Sequence, residues 1–319
     1  MKKISLVIPM YNEEPMVELL LNTIEEKVVK TLTPQYEIEL VCVNDGSKDK
    51  TLELLKAEVS KRDYLVVVDL SRNFGQESAL RAGLLTATGD CVIPMDADLQ
   101  DPPEVIPQLI EMWEKGFEVV NAVRVDRNKD TAFKKNSAGF FYRYIEKISP
   151  KVKIPNNVNN FRLMDRKVVD EINNLSETNR VLRVEVPFVG FKTGIVEIAR
   201  AERAAGESKY PLGAMVNLAK DSIVSVSTKP LEIPLKIAIV LGVLLCVSVI
   251  TEIVFFILQL TKVFMIGDLS LWGWLIINVL LLISVLIVGI LAIQSIYLGK
   301  VADEVSHRPS VIIREVIRK

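Results

Sequence analysis

Two long apolar stretches near the C-terminus, 237–260 and 269–298, constrain this chain more than any other feature. The first carries Glu252 and no Lys or Arg, and the second has no ionisable side chain apart from Tyr297. Each exceeds the roughly 20 residues a helix needs to cross a hydrocarbon core, where only a structure that satisfies its own backbone is stable. The eight residues between them, 261–268, are too few to fold alone, so the expectation is a two-helix transmembrane hairpin within 233–298 with both flanks on one side. Lys229 and Lys236 precede it and Lys300, Arg308, Arg314, Arg318 and Lys319 follow it, against Lys262 alone in the turn. The positive-inside bias then places the body of the chain and the tail, 299–319, in the cytoplasm of a cell membrane. Glu252, nearer the far interface than the centre of its span, reads as a hydrated group or one paired between subunits. A hairpin of this kind gains from self-association, so a homo-oligomer is expected.

The remainder reads as a soluble α/β body. Lys2 and Lys3 precede an apolar run too short for a signal peptide, which reads as a first strand. Short β-rich runs at 4–9, 38–43, 65–70, 91–95 and 119–123 alternate with helical patterns at 14–30, 51–61, 76–86 and 104–115. Strands apolar on both faces, separated by helices, specify a mainly parallel sheet flanked by helices. The net charge of -1 argues against a nucleic-acid partner. Cys42, Cys91 and Cys246 have no metal-type spacing, and neither a disulfide framework nor a zinc site is expected.

Open parallel sheets bind ligands beyond the carboxyl ends of their strands. Here each strand ends in polar residues: Tyr11-Asn12-Glu13-Glu14, Asn44-Asp45-Gly46-Ser47, Ser71-Arg72-Asn73 and Asp96-Ala97-Asp98. On an extended backbone residues i and i+2 face the same way, so Asp96 and Asp98 would converge on one hard cation. Asn12, Ser47 and Asp101 also fit as helix caps, with Pro15 and Pro102 in first turns. Capping does not explain the paired Asp96 and Asp98. Asp69, at a strand end, is expected to pair with Arg72.

Beyond 124 the alternation breaks. Arg124, Arg127, Lys129, Lys134, Lys135 and Arg143 interleave with Phe133, Phe140, Phe141, Tyr142 and Tyr144, a pattern suited to anionic head groups at a membrane surface or to a solvated helix packed on the sheet. A turn-rich run, Pro155-Asn156-Asn157-Val158-Asn159-Asn160, follows. Further on, Gly206, Ser208 and Lys209 offer a close approach, a hydroxyl and an ammonium for phosphate oxygens ahead of an amphipathic juxtamembrane helix within 211–232.

Taken together, Val7-Ile8-Pro9-Met10-Tyr11-Asn12-Glu13-Glu14, Asn44-Asp45-Gly46-Ser47-Lys48-Asp49, Leu70-Ser71-Arg72-Asn73-Phe74-Gly75-Gln76, Met95-Asp96-Ala97-Asp98-Leu99-Gln100-Asp101-Pro102-Pro103, Phe161-Arg162-Leu163-Met164-Asp165-Arg166 and 203–211 resemble the family 2 glycosyltransferases of GT-A (Rossmann-like) fold. The similarity is to the polyprenyl-phosphate branch, which includes dolichol-phosphate mannose synthase and the bactoprenol glucosyltransferases. It implies a cytoplasmic GT-A domain over 1–210. It implies that Pro9, Tyr11, Glu13 and Asp45 border the base and ribose of a nucleotide-sugar donor, with Ala97 beside it. Asp96, Asp98 and Gln100 would hold Mg2+ or Mn2+ against the diphosphate, Arg124 and Arg127 would form a basic pair, and Ser208 with Lys209 would close over phosphates. The acceptor implied is polyprenyl (undecaprenyl) phosphate, and the donor UDP-glucose or UDP-N-acetylglucosamine.

Two motifs depart from the family pattern, Asn44-Asp45-Gly46-Ser47 where the family has Asp-Asp-Gly-Ser and Asn159-Asn160-Phe161-Arg162 where it has Gly-Asp-Phe-Arg. Asn44 stands where the family has Asp, and Asn160 stands where it has a carboxylate that is a candidate catalytic base. A sugar hydroxyl needs such a base to become a nucleophile. A phosphate monoester, with second pKa about 6, is already an anion at pH 7 and does not. For a lipid-phosphate acceptor the reading is therefore that Asn160 orients the acceptor phosphate or the metal shell while Arg124, Arg127 and Arg162 supply charge; Asn160→Asp is expected to preserve or raise activity if the position is a relaxed version of the family carboxylate, and a complete loss would show that the Asn has a role of its own. Two rivals are weighed. An inactive membrane scaffold is motivated by the two Asn. A processive polysaccharide synthase is disfavoured because Trp113, Trp272 and Trp274 do not form the Gln-x-x-Arg-Trp motif of those enzymes.

Overall fold

The structure is a computed structural model that describes residues 1–124, 158–175, 181–198, 270–306 and 309–319, together with single helical positions at Val240, Val243, Val247 and Ile250. It divides into two compact units, one of Met1–Val226 with Arg308–Lys319 and one of Ser227–His307.

In the first unit, β1 (Lys2–Met10), β2 (Tyr36–Asn44), β3 (Leu65–Leu70) and β4 (Cys91–Pro94) form the parallel centre of an eight-stranded sheet. Connecting them are α1 (Val17–Ile24), which continues through a π turn, Glu25–Val29, to Lys30–Leu32, then α2 (Thr51–Val59) and α3 (Gln76–Thr86). Further along, α4 (Ile106–Glu114) leads to β5 (Val119–Arg124). These elements match the sequence expectation closely because β-branched strands buried on both faces have no alternative to being sandwiched.

Alternation along β1 divides the core. Ile4, Leu6, Ile8 and Met10 pack with α1, α2 and α4, whereas Val7 joins Val41, Val43, Val66 and Val68 under α3. Gly83 lets α3 lie close to β1, since a Cβ there would fall 2.2 Å from the Val7 Cγ1 methyl. That close approach sets the start of α3 near the sheet's carboxyl rim.

The sheet order is β7-β5-β6-β4-β1-β2-β3-β8, where β6 is Val158–Asp165, β7 is Thr193–Ile198 and β8 is Ile313–Ile317. Three features differ from the sequence reading. First, β5 does not follow β4 in the sheet; β6 lies between them and is antiparallel to both. Residues 158–160, read as part of a turn-rich run, belong to that strand, with Val158 paired to Val123 of β5, so strand pairing overrides the low strand propensity of Asn. Second, the tail supplies a strand, β8, antiparallel to β3. Third, Asp69 pairs with Arg314 of β8 at 3.1 Å rather than with Arg72, whose guanidinium lies over the Phe74 ring and donates to the Asn73 carbonyl.

After β6 come α5 (Arg166–Asn174) and α6 (Leu182–Val189). Asp165 fixes this corner: its carboxylate accepts from Lys167 N–H at the start of α5 and from Trp113 Nε1 of α4. Arg166 donates to the carbonyls of Ala87 and Gly89, fastening α5 beside β4.

In the second unit, α7 (Ser270–Val305) is 36 residues long. Its 18-residue window Leu282–Gly299 has mean hydropathy 2.3, long and apolar enough to cross a membrane. Leu280, Val288, Leu291 and Leu298 are among its exposed apolar residues. The first expected span, 237–260, lies outside the described residues apart from its four helical positions, so among the described residues there is one candidate span, Leu282–Gly299, and the two-helix hairpin remains an expectation. The juxtamembrane helix also lies outside them.

Candidate active site

The rim is built by loops that interlock across strand ends. Asn12, with φ 54°, donates its N–H to Ser47 Oγ and accepts from Lys48 N–H through Oδ1. Glu13 N–H donates to Thr51 Oγ1, and Glu14 N–H to the Asp49 carboxylate. Asn12 and Ser47 therefore join two loops instead of capping helices, as the sequence also allowed. Asp101, buried at 1% exposure, is not a cap either; Pro102 holds that position, with Pro103 in the first turn.

Asp45 organises the next loop. It is buried, and its carboxylate accepts from Phe74 N–H at 2.7 Å, Gly75 N–H at 2.9 Å and Asn73 Nδ2 at 3.0 Å. Burial pushes this carboxyl up, against the Phe74 and Gly75 N–H groups and Arg72, which act downward. Beside it, Gly46 has φ +64°, and a Cβ there would meet the Arg72 carbonyl carbon at 2.4 Å, so the turn needs glycine on two counts. Asn44 explains one departure from the family pattern. It lies level with Asp69 on the neighbouring strand and donates Nδ2 to that carboxylate at 2.7 Å, a bond an Asp cannot make.

Asp96, Ala97 and Asp98 sit beyond β4, which ends at Pro94; they form a turn, not the extended strand expected. Leu99 completes it with φ 55°, and Asp98 Oδ1 accepts the Gln100 N–H at 3.1 Å. Asp96 and Asp98 are half-buried, while Ala97 and Gln100 are buried. Gln76, the first residue of α3, donates Nε2 to Asp96 Oδ1 at 2.8 Å. Two carboxylates on one tight turn are hard oxygen donors of the kind Mg2+ and Mn2+ take, so the residues fit a divalent cation whose other ligands come from a diphosphate. Pro9 is half-buried near the end of β1, and Tyr11 beyond it is 38% exposed on the rim.

Arg124 is the last residue of β5, level with Ile198 of β7. Arg127, Ser208 and Lys209 lie outside the described residues. Asn160 and Arg162 are on β6. Arg162 was expected to supply charge to the reacting groups, but it is 1% exposed and lies beneath the rim. Burial and the neighbouring Arg183 bring its guanidinium down to about 9, against the opposing pull of Glu77. Asn160 is half-buried, and its side chain hydrogen-bonds to the Glu77 carboxylate. Only Nδ2 can donate to that carboxylate, which fixes which way the amide is turned. Sequence reasoning missed Gln76 and Glu77 because an acidic first turn reads as ordinary helix-dipole compensation.

The parallel centre, the antiparallel β6 insertion and the carboxylates beyond β4 define a GT-A-like α/β protein. A glucosyl-3-phosphoglycerate synthase from Mycobacterium tuberculosis, solved with Mn2+, uridine diphosphate and phosphoglyceric acid, shares this fold at TM-score 0.50 and 20% identity, over 70% of this chain and 76% of that one. The family model for glycosyl transferase family 2 matches residues 5–173, and the chain belongs to that family. It is 40% identical to the uncharacterized glycosyltransferase YkcC of Bacillus subtilis strain 168, over 98% of this chain and 93% of that one. It is also 40% identical to the bactoprenol glucosyl transferase of Shigella phage SfV, over 99% of this chain and all of the relative.

Proposed function

We propose that this protein transfers a hexose, with inversion, from a nucleotide-diphosphate sugar to polyprenyl phosphate at the cytoplasmic face of a membrane, with UDP-glucose or UDP-N-acetylglucosamine as donor. The observation that carries the reading is the Asp96-Ala97-Asp98 turn on the sheet's carboxyl rim, anchored to α3 through Gln76. Support for the acceptor class comes from full-length similarity to a bactoprenol glucosyl transferase and from the span-length apolar helix α7.

Asp96 and Asp98 would hold a divalent cation, which when bound offsets the diphosphate's charge in the ground state and as it leaves. The rim loops fixed by Asp45 and Asn12 receive the nucleoside, and their cross-strand hydrogen bonds remove the need to order them on binding. The acceptor phosphate already carries its nucleophilic oxygen as an anion, so no carboxylate is needed at position 160. Arg124 and Arg127 hold that anion beside the donor, bringing two like-charged reactants into attack distance.

The test is a donor screen with purified full-length protein in detergent and undecaprenyl phosphate, read by product mass. A glycosylated lipid phosphate whose formation stops on chelation of divalent metal supports the reading; no product with any donor defeats it.

A further inference from the structure

We propose that Asn160, held by Glu77, reads a hydroxyl of the transferred sugar, with Glu77 as the positioning residue that fixes the amide's orientation; the inference rests on the transferase reading above. Three observations converge on it.

The first is register. β4 and β6 are antiparallel, with Cys91 opposite Asp165 and Val92 opposite Met164. The β6 residues ahead of Met164, Asn160 among them, therefore run toward the carboxyl end of β4, the end from which the Asp96 turn departs. The second is the first turn of α3, whose consecutive residues hold both sides of this point. Gln76 donates to Asp96, and Glu77 receives the Asn160 side chain and the Leu182 N–H, the latter at 3.1 Å. Arg183 and Arg162 add their positive charge around the same carboxylate. A glutamate that served only the helix dipole would face water; this one ties α3 to β6 and α6.

The third is an orphan. Asn160 Oδ1 is buried and has no hydrogen-bond partner among the described residues. A buried acceptor without a partner is costly and calls for an explanation. With Nδ2 committed to Glu77, Oδ1 can only accept. The oxygens of a phosphate anion also only accept, so neither the acceptor phosphate nor the donor diphosphate satisfies it. A sugar hydroxyl does; a water on the cation is the other donor that could, and the deoxy-analogue series below tells the two apart. In relatives with a carboxylate at this position the group is a candidate base; here the same location is left with a neutral acceptor suited to reading the sugar.

The experiment uses the full-length protein in detergent, undecaprenyl phosphate, and the UDP-sugar that turns over best, beside its monodeoxy analogues. Wild type is expected to lose about tenfold or more in kcat/KM for one deoxy position, the discrimination that an unpaired buried polar group imposes. In Glu77→Gln the amide is free to invert, and in Asn160→Ala it is gone, so both lose that discrimination. UDP binding measured with Mn2+ stays within about twofold of wild type. A purely structural role would lower turnover of all donors equally and leave the discrimination intact, which overturns the inference while leaving the transferase reading standing. Wild type that turns over the parent sugar and every deoxy analogue alike also overturns it. If Glu77→Gln does not fold, Asn160→Ala separates the same two outcomes. Absence of turnover by wild type with any donor defeats the transferase reading, and this inference with it.

Discussion

Asn44 and Asn160 are the two positions where this chain replaces a carboxylate of its family pattern, and both donate to a neighbouring carboxylate, Asp69 and Glu77. A sequence shows the substitution but not the partner, because the partners are distant in sequence and meet only through sheet register and helix packing. Asn44→Asp is expected to destabilise the protein by about 1–3 kcal/mol, since it places a second carboxylate against buried Asp69; thermal unfolding at pH 7 measures this. Asn160→Asp sets two carboxyls on one hydrogen bond, so the pair holds one proton. Burial already pushes the Glu77 carboxyl up, which makes it the group that keeps the proton. Turnover of this variant is then retained at low pH and falls as pH rises through the pair's upper titration, whereas wild type shows no such loss; a flat profile for the variant would contradict the shared bond. The expectation from sequence, that Asp at 160 preserves or raises activity if the position is a relaxed version of the family carboxylate, lacked Glu77.

At the scale of elements, the parallel centre was legible because each strand is a short β-rich run and each helix an amphipathic one. Strand β6 was not legible: its first residues, Val158-Asn159-Asn160, read as turn, and its identity depends on having β4 on one side and β5 on the other. Strand β8 was hidden for the same reason, since Arg314 reads as a topology signal until Asp69 is seen beneath it. A further device locks the amino end of the sheet. Glu39 on β2 accepts from Ser5 Oγ, Thr88 N–H and Thr88 Oγ1, with Lys3 at 3.5 Å. Burial raises its pKa, but these donors and Lys3 outweigh it and hold the carboxyl below the usual range. A depressed carboxyl contributes stability above its unfolded pKa, near 4.3, and loses it as pH falls through the folded value. Glu39→Gln should therefore cost about 1.5–3 kcal/mol at pH 7, with the gap to wild type closing below about pH 4; denaturant unfolding at both pH values checks it.

For the whole molecule, apolar segregation in the sequence separates an α/β part from a strongly apolar one; the structure divides into two compact units, Met1–Val226 with Arg308–Lys319 and Ser227–His307. The rim motifs located the site because parallel sheets present strand ends on one edge. What they left out was how the site is held, which depends on α3 being drawn close to β1 at Gly83. The central claim is that the Asp96-Ala97-Asp98 turn carries metal-dependent sugar transfer to a lipid phosphate. Its most direct test is turnover of undecaprenyl phosphate with UDP-sugars by purified wild-type protein and by Asp98→Ala, read by product mass with and without chelator. The account predicts product from wild type that disappears on chelation, and none from Asp98→Ala although that variant folds and inserts into membranes as wild type does. Undiminished product from Asp98→Ala would contradict it.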